Sequence, residues 1–259
     1  MHGVTTTTVE LPGHSTPLCI GGDRNAPALL WLHGEGLTSG WGELHDRLAS
    51  HFRLYAPVLP GFGGTALPAW VDTADDVALH LADLCRHLDL HTINVAGESL
   101  GGWIAMSLAI WRPQLVASLG LVGALGWRPL EPAPDLFIKS GPEALGYLSN
   151  QIDAAAADPL TGDLDLATAL WVEQAAQARL MWERPYDRKL AQRCHHISAA
   201  VHVVWGGADR VLPPSHAEEL AAALAATTTT TTTIVPGAGH LLSLDAPAEL
   251  AEALRKAFA

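Results

Sequence analysis

The chain has 259 residues, 49% of them hydrophobic, which suits one α/β domain and does not demand two. Its formal charge of −12, with Lys139, Lys189 and Lys256 as its only lysines, argues against a nucleic-acid partner. No apolar run reaches the ~18 residues that span a bilayer, and the first residues lack the basic start and apolar core of a secretory signal, so the expectation is a soluble cytoplasmic protein with no membrane partner.

In chain order, the pattern alternates strand and helix. Two short strands are predicted over 4–11 and 17–20, with a turn at Gly13, and Gly21-Gly22-Asp23 supplies the next turn. Residues 28–32, A-L-L-W-L, form a continuous apolar run of the kind that is buried on both faces. A helix is expected over 41–52, a strand over 54–59, and an irregular Pro-Gly-Phe-Gly-Gly loop after it. The helix at 73–90 opens on a capping box, Thr73 with Asp76, and places Val77, Leu81, Leu84, Cys85 and Leu88 on one face. A strand at 93–96, a helix from Leu100 to about Trp111 and a strand near 119–122 follow. Near the end come a strand at 201–205, a helix at 215–226 capped by Ser215 and Glu218, a strand ending at Ile234-Val235, and a helix at 247–258. In the threonine run 227–233 the end reads as strand and the start as loop.

This alternation predicts a mostly parallel central sheet with helices on both faces. The exception is 125–194, which lacks a clear strand and carries alanine-rich helical stretches with Trp127, Trp171 and Trp182. It reads as a helical cap inserted into a core formed by 1–124 and 195–259.

Residues 95–103 read V-A-G-E-S-L-G-G-W. A serine hydroxyl is a weak nucleophile until it is exposed and given a base. At a sharp strand–turn–helix corner the residues two before and two after the serine must be small, and Gly97 and Gly101 meet that demand around Ser99. The helix starting at Leu100 points free amides and a positive dipole end at the corner. A base and an acid are then expected on loops after later strands. Asp209 lies in G-G-A-D just past the strand at 201–205, with Asp245 and Asp187 as weaker rivals. His240 lies in P-G-A-G-H before the last helix. The early loop L-H-G-E-G-L supplies a second amide, so the backbone N–H groups of Glu35 and Leu100 are the expected oxyanion hole. His33 and Gly34 of that loop, together with Trp127, are the expected substrate-binding residues. The Glu35 side chain reads either as a pocket acid or as a solvated or paired group; a carboxylate there repels an oxyanion unless it points away or meets a cation. Glu98 is expected to pack behind the corner in a hydrogen-bond network. Cys194-His195-His196 has the wrong spacing for zinc, so no metal site is expected.

His33-Gly34-Glu35-Gly36, Leu59-Pro60-Gly61-Phe62-Gly63, Gly97-Glu98-Ser99-Leu100-Gly101-Gly102, Gly207-Ala208-Asp209 and Gly239-His240 together resemble the α/β-hydrolase superfamily, in its motif order and across most of the chain. The resemblance implies an α/β-hydrolase fold with a helical cap and a Ser99–Asp209–His240 triad. It also implies cleavage of an ester-like bond in a small to medium apolar molecule through an acyl-enzyme, without a cofactor. Serine at position 99 departs from the dehalogenase and epoxide-hydrolase branches, which use aspartate there. The H-G-E-G segment lacks the longer glycine-proline form of many ring-cleavage-product hydrolases. Carbon–carbon bond hydrolysis, cofactor-free lyase, cyclase or oxygenase chemistry, and simple ligand binding remain the alternatives on this scaffold. A lyase site of the hydroxynitrile type would want a cap cation near the substrate. The oligomeric state is left open.

Overall fold

The computed structural model describes residues 3–35, 40–151, 163–181 and 184–259. Eight strands form one sheet: β1 (Thr5–Leu11), β2 (His14–Gly21), β3 (Ala28–Leu32), β4 (Arg53–Pro57), β5 (Ile93–Glu98), β6 (Val116–Val122), β7 (Ala200–Gly206) and β8 (Thr230–Val235). Their spatial order is β1-β2-β4-β3-β5-β6-β7-β8. The β1–β2 hairpin and the β2–β4 pair are antiparallel, and every later pairing is parallel. This is the doubly wound, mostly parallel sheet expected from the alternation.

The helices are α1 (Glu43–Ala49), α2 (Ala74–His87), α3 (Leu100–Trp111), α4 (Gly141–Leu148), α5 (Leu164–Leu180), α6 (Leu190–Arg193), α7 (Pro214–Ala225), α8 (Leu242–Asp245) and α9 (Pro247–Ala257). Along β3 the side chains alternate between two cores. Leu30 and Leu32 join the core built with α2, α3 and α7, whereas Leu29 and Trp31 join the one built with α1 and α9. That is why the strand reads as unbroken apolar sequence: both of its faces are covered. The order around β3 creates a switch point between β3 and β5, where a crevice opens at the carboxyl ends of the strands.

Thr73 caps α2 as expected, with the Asp76 carboxylate returning to the Thr73 amide. The α7 cap differs. That helix starts one residue earlier, behind Pro213-Pro214, and no side chain caps it. Proline's fixed φ and missing N–H suit the first helical position, so the two prolines set this start without Ser215. Thr230 to Thr233 lie in β8 at the sheet edge, while Thr227 to Thr229 precede it.

Between β6 and β7 the described residues hold two short 3-10 turns (Leu136–Ile138 and Cys194–His196) and α4, α5 and α6, but no strand. This helical insert is fastened to the core by polar contacts. Arg179 on α5 bonds Asp72 at 2.8 Å and the Ala69 carbonyl. Arg193 pairs with Asp75 in the first turn of α2 and with Asp187. Among the described residues no helix is long and apolar enough to cross a membrane.

Candidate active site

Ser99 joins β5 to α3 with φ of +52°, a left-handed conformation that a non-glycine residue holds only when its surroundings enforce it. The enforcement comes from β6. The Ser99 amide donates to Val122 O at 2.8 Å, and the Leu125 amide donates to Ser99 O at 3.0 Å. A Cβ at Gly97 would strike the Gly101 carbonyl, so the spacing logic around the serine holds there. Gly101 is small for another reason: its Cβ would meet the Leu32 and His33 carbonyls at the end of β3. Leu100 is the first residue of α3, so its amide has no intrahelical acceptor.

A chain of hydrogen bonds runs through the crevice. Ser99 Oγ lies 2.7 Å from His240 Nε2, and His240 Nδ1 lies 2.8 Å from Asp209 Oδ2. The other Asp209 oxygen accepts from the amides of Val211 and Leu212. The loops that carry Asp209 and His240 are zipped together by backbone. Gly207 N donates to Val235 O and Ala208 N to Ala238 O, each at 2.8 Å, and a Cβ at Gly206 would collide with Gly239 O. Gly123, at φ +50°, leaves room for His240, since a Cβ there would sit 3.1 Å from His240 O. That role of Gly123 was not legible in the sequence; its only signal is a glycine immediately after a buried strand. His240 is fully buried. Burial opposes charge on the imidazole, but Asp209, Glu35 and Glu98 outweigh it and raise its pKa to about 9.

Asp245, a rival for the acid position, is engaged elsewhere. It accepts from Ser149 Oγ, from the Asn150 amide and, at 2.7 Å, from the Gly239 amide. It therefore ties the His240 loop to the end of α4, and the Leu241 amide adds a bond to Leu148 O. Asp187 pairs with Arg193.

The early loop is arranged by His33. Its Nδ1 lies 2.7 Å from Gly34 O, and its Nε2 accepts from the Leu59 amide at 3.0 Å. Burial pushes its pKa down to about 4, so the ring is neutral. Both ring nitrogens thus engage backbone, and His33 joins two loops instead of presenting a polar atom to substrate. Gly34 comes against the corner: a Cβ there would sit 3.1 Å from Ser99 Cβ and from Glu98 O. Gly36 lies outside the described residues.

The two glutamates differ from each other. Glu98 is fully buried behind the corner and accepts from the Ser243 amide at 2.9 Å and the Ser243 hydroxyl at 2.5 Å. Burial raises its pKa to about 7. Glu35 does not point away, and among the described residues it meets no arginine or lysine. Its Oε1 accepts the Ser99 hydroxyl at 2.9 Å and lies 3.9 Å from His240 Nε2, and its Oε2 is buried with no hydrogen bond among the described residues.

A cavity opens from Glu35 under the insert, lined by Leu136, Ala144, Leu145, Leu148, Leu170, Glu173, Gln174 and Gln177. Trp127 is not among these residues; it is partly buried against the main core. Trp171 is 69% exposed on the outer side of α5, and Trp182 lies outside the described residues. The sequence of α5 hid this, because that helix is weakly amphipathic and its inward face shows only in the packing. Of the cations in this insert, Arg179, Arg184, Arg188 and Lys189 line a separate cleft beside α2, Lys139 lies over the Tyr147 ring and Arg128 over the Tyr186 ring. Among the described residues no group of three His, Cys, Asp or Glu side chains is placed to hold a metal ion, the Cys194-His195-His196 cluster included.

Residues 29–253 match the model of the alpha/beta hydrolase family. The chain is 29% identical over 250 residues to the dihydrolipoyllysine-residue acetyltransferase component of the acetoin cleaving system of Pseudomonas putida, covering 88% of this chain and 62% of that one. It therefore spans less than two thirds of that relative's length. It is 26% identical over 253 residues to the 2-hydroxy-6-oxo-6-(2'-aminophenyl)hexa-2,4-dienoic acid hydrolase of Metapseudomonas resinovorans, covering 89% of this chain and 83% of that one. Its fold is similar to that of a bacterial membrane phospholipase A, with a TM-score of 0.83 at 23% identity over 99% of this chain and 86% of the other. The sheet, the corner serine and the family match lead to one conclusion: the chain belongs to the alpha/beta hydrolase family.

Proposed function

We propose that this protein is a serine hydrolase that cleaves an ester-like bond (carboxylic ester, thioester or lactone) in a small to medium apolar substrate through an acyl-enzyme. The observation that carries this reading is the unbroken chain Asp209–His240–Ser99, with Ser99 held at the strained apex. Ser99 Oγ is the nucleophile, His240 moves the protons, and Asp209 fixes the imidazole tautomer and stabilises its charged form. The amides of Glu35 and Leu100 receive the oxyanion. The helical insert acts as a cap, and the leucines lining its cavity favour an apolar acyl chain.

The similarity to the dienoic acid hydrolase supports a second reading, carbon–carbon bond hydrolysis by the same serine. No lysine or arginine lines the cavity beside Glu35 among the described residues, which favours either hydrolytic reading over a lyase that needs a cation at the substrate.

The test is turnover of a p-nitrophenyl ester series, with covalent labelling by a small alkyl fluorophosphonate. Wild type is expected to turn over the esters and to carry the label on Ser99, while Ser99→Ala does neither. Ester turnover by Ser99→Ala near the wild-type rate would overturn the acyl-enzyme. Turnover of a vinylogous diketone in preference to every ester would favour the second reading.

A further inference from the structure

The Glu35 carboxyl lies at the nucleophile with one oxygen to spare. Its Oε1 is 2.9 Å from Ser99 Oγ, while its Oε2 is buried and bonds nothing among the described residues. The residue is only 5% exposed, and it forms a wall of the cavity under the insert. Buried polar atoms are paired as a rule, so this oxygen is left to whatever fills the cavity. The neighbouring polar groups on α5 are engaged by the protein. Gln174 Nε2 donates to Leu136 O at 3.1 Å, and Glu173 Oε1 accepts from the Gly63 amide at 3.1 Å. Most of the remaining wall is apolar, with Leu136, Leu145, Leu148 and Leu170. A pocket with apolar walls and few polar atoms orients its ligand through those atoms.

We propose that Glu35 sets substrate choice: the acyl part of the substrate carries a hydroxyl on the first or second carbon from the scissile carbonyl, and that hydroxyl bonds Glu35 Oε2. This rests on the serine acyl-transfer reading above, in which His240 remains the base for Ser99. The position follows from the site. In the attack the carbonyl carbon comes to bonding distance of Ser99 Oγ, and Oε2 belongs to a carboxyl whose other oxygen already touches Oγ. A hydroxyl two or three bonds from the carbonyl carbon reaches Oε2, whereas one farther along the chain lies among the leucines. The acyl side follows from the cavity, which opens from Glu35 toward those leucines. A hydroxyl both donates and accepts, so it bonds a carboxyl oxygen whether or not the carboxyl holds a proton. An ammonium in the same place would bring a full charge into an apolar cavity, which is far more costly.

The test is kcat/KM for the methyl esters of hexanoic, 2-hydroxyhexanoic and 3-hydroxyhexanoic acid, in wild type, Glu35→Gln and Glu35→Leu. The quantity read is the ratio of each hydroxy ester to the plain ester. Comparing that ratio between proteins cancels the intrinsic reactivity of each ester and any general loss of activity. For at least one hydroxy ester the ratio is expected to be roughly 100-fold higher in wild type than in Glu35→Leu, below the 10⁴–10⁵ reached by sites built wholly around a substrate hydroxyl. Glu35→Gln keeps an acceptor oxygen and is expected to fall between the two. A structural role for Glu35 lowers turnover of all three esters by one factor and leaves the ratios unchanged, which would overturn the proposal. If Glu35→Leu does not fold, wild type decides on esters with a methyl group in place of the hydroxyl, each rate divided by that of alkaline hydrolysis. The hydroxy esters are expected to be preferred, and equal or faster turnover of the methyl analogues overturns the proposal. Turnover that persists in Ser99→Ala would overturn the acyl-transfer reading and this proposal with it, whereas unchanged ratios in a serine-dependent enzyme overturn this proposal alone.

Discussion

The sheet edge and the helical insert solve the same problem, holding side chains over one crevice, by different means. At the edge, backbone does the holding. Val122, Leu125, Val235 and Ala238 fix the loops of Ser99, Asp209 and His240 through amide–carbonyl bonds, and glycines at 97, 101, 123 and 206 let those loops touch. The insert is held chiefly by side chains: Arg179 on Asp72, Arg193 on Asp75, Ser149 on Asp245 and a Glu173 oxygen on the Gly63 amide at 3.1 Å, with a backbone bond from the Leu241 amide to Leu148 O beside them. Backbone bonds fix geometry without adding side-chain entropy, whereas long side chains lose rotamer freedom when they are tied. The Ser99–His240–Asp209 hydrogen-bond chain therefore sits on the edge, and the helical insert sits on the looser fastening.

The hardest way to break this comparison is at the edge. Asp209→Asn keeps the shape of the acid but favours the wrong imidazole tautomer, and ester kcat is expected to fall on the order of 10⁴-fold. The same substitution at Asp245 touches only the insert's tether and is expected to cost far less. Steady-state kinetics on both variants, with melting temperatures, would check this. Equal losses would mean that the edge is no more exacting than the tether.

Stability against pH should also report on the edge. Glu98 holds its proton up to about pH 7 in the fold, whereas the unfolded chain releases it near 4.5. Across that window the folded state binds more protons, so stability falls as pH rises. His240 repeats the pattern between its ordinary 6.5 and about 9. The melting temperature is expected to decline from pH 5 to pH 9, with each window worth on the order of 3 kcal/mol. Glu98→Gln should flatten the lower window, and His240→Gln the upper one. A melting temperature that rises over this range would contradict both shifts.

Within the insert, two neighbours on α5 sharpen the contrast. Leu170 lines the cavity, and Trp171 faces solvent. Leu170→Ala is expected to shift preference along an acyl chain series by roughly 1–3 kcal/mol, the scale of one or a few methylenes in an apolar pocket. Trp171→Ala should leave the series unchanged. The reverse outcome would place α5 differently over the crevice.

The smallest effect is expected at the fastening itself. Asp72 and the guanidinium of Arg179 are both partly exposed, so Arg179→Ala should cost under about 1 kcal/mol in thermal unfolding, with Ser99 labelling unchanged. A larger loss would show that the insert folds as part of the core.

By itself, the sequence determined the strand–helix alternation, the strand at β3 to the residue, the start and end of α3, and the candidate serine, acid and histidine. These features are local: apolar runs mark strands covered on both faces, and glycines at fixed offsets mark corners that admit no side chain. Only the tertiary structure decided the rest. His33 has the sequence signature of a site residue, yet its ring nitrogens bond the backbone of two loops. Trp127 was the expected cavity wall, yet Leu170 lines the cavity and its neighbour Trp171 is exposed, because a weakly amphipathic helix does not declare its inward face. Glu35 could be read either as a pocket acid or as a paired group, and its place on Ser99 Oγ follows from loops 64 residues apart meeting at the switch point of the sheet. Side-chain direction at a loop depends on which distant backbone it meets, and that contact is written in the topology rather than in any short stretch of chain.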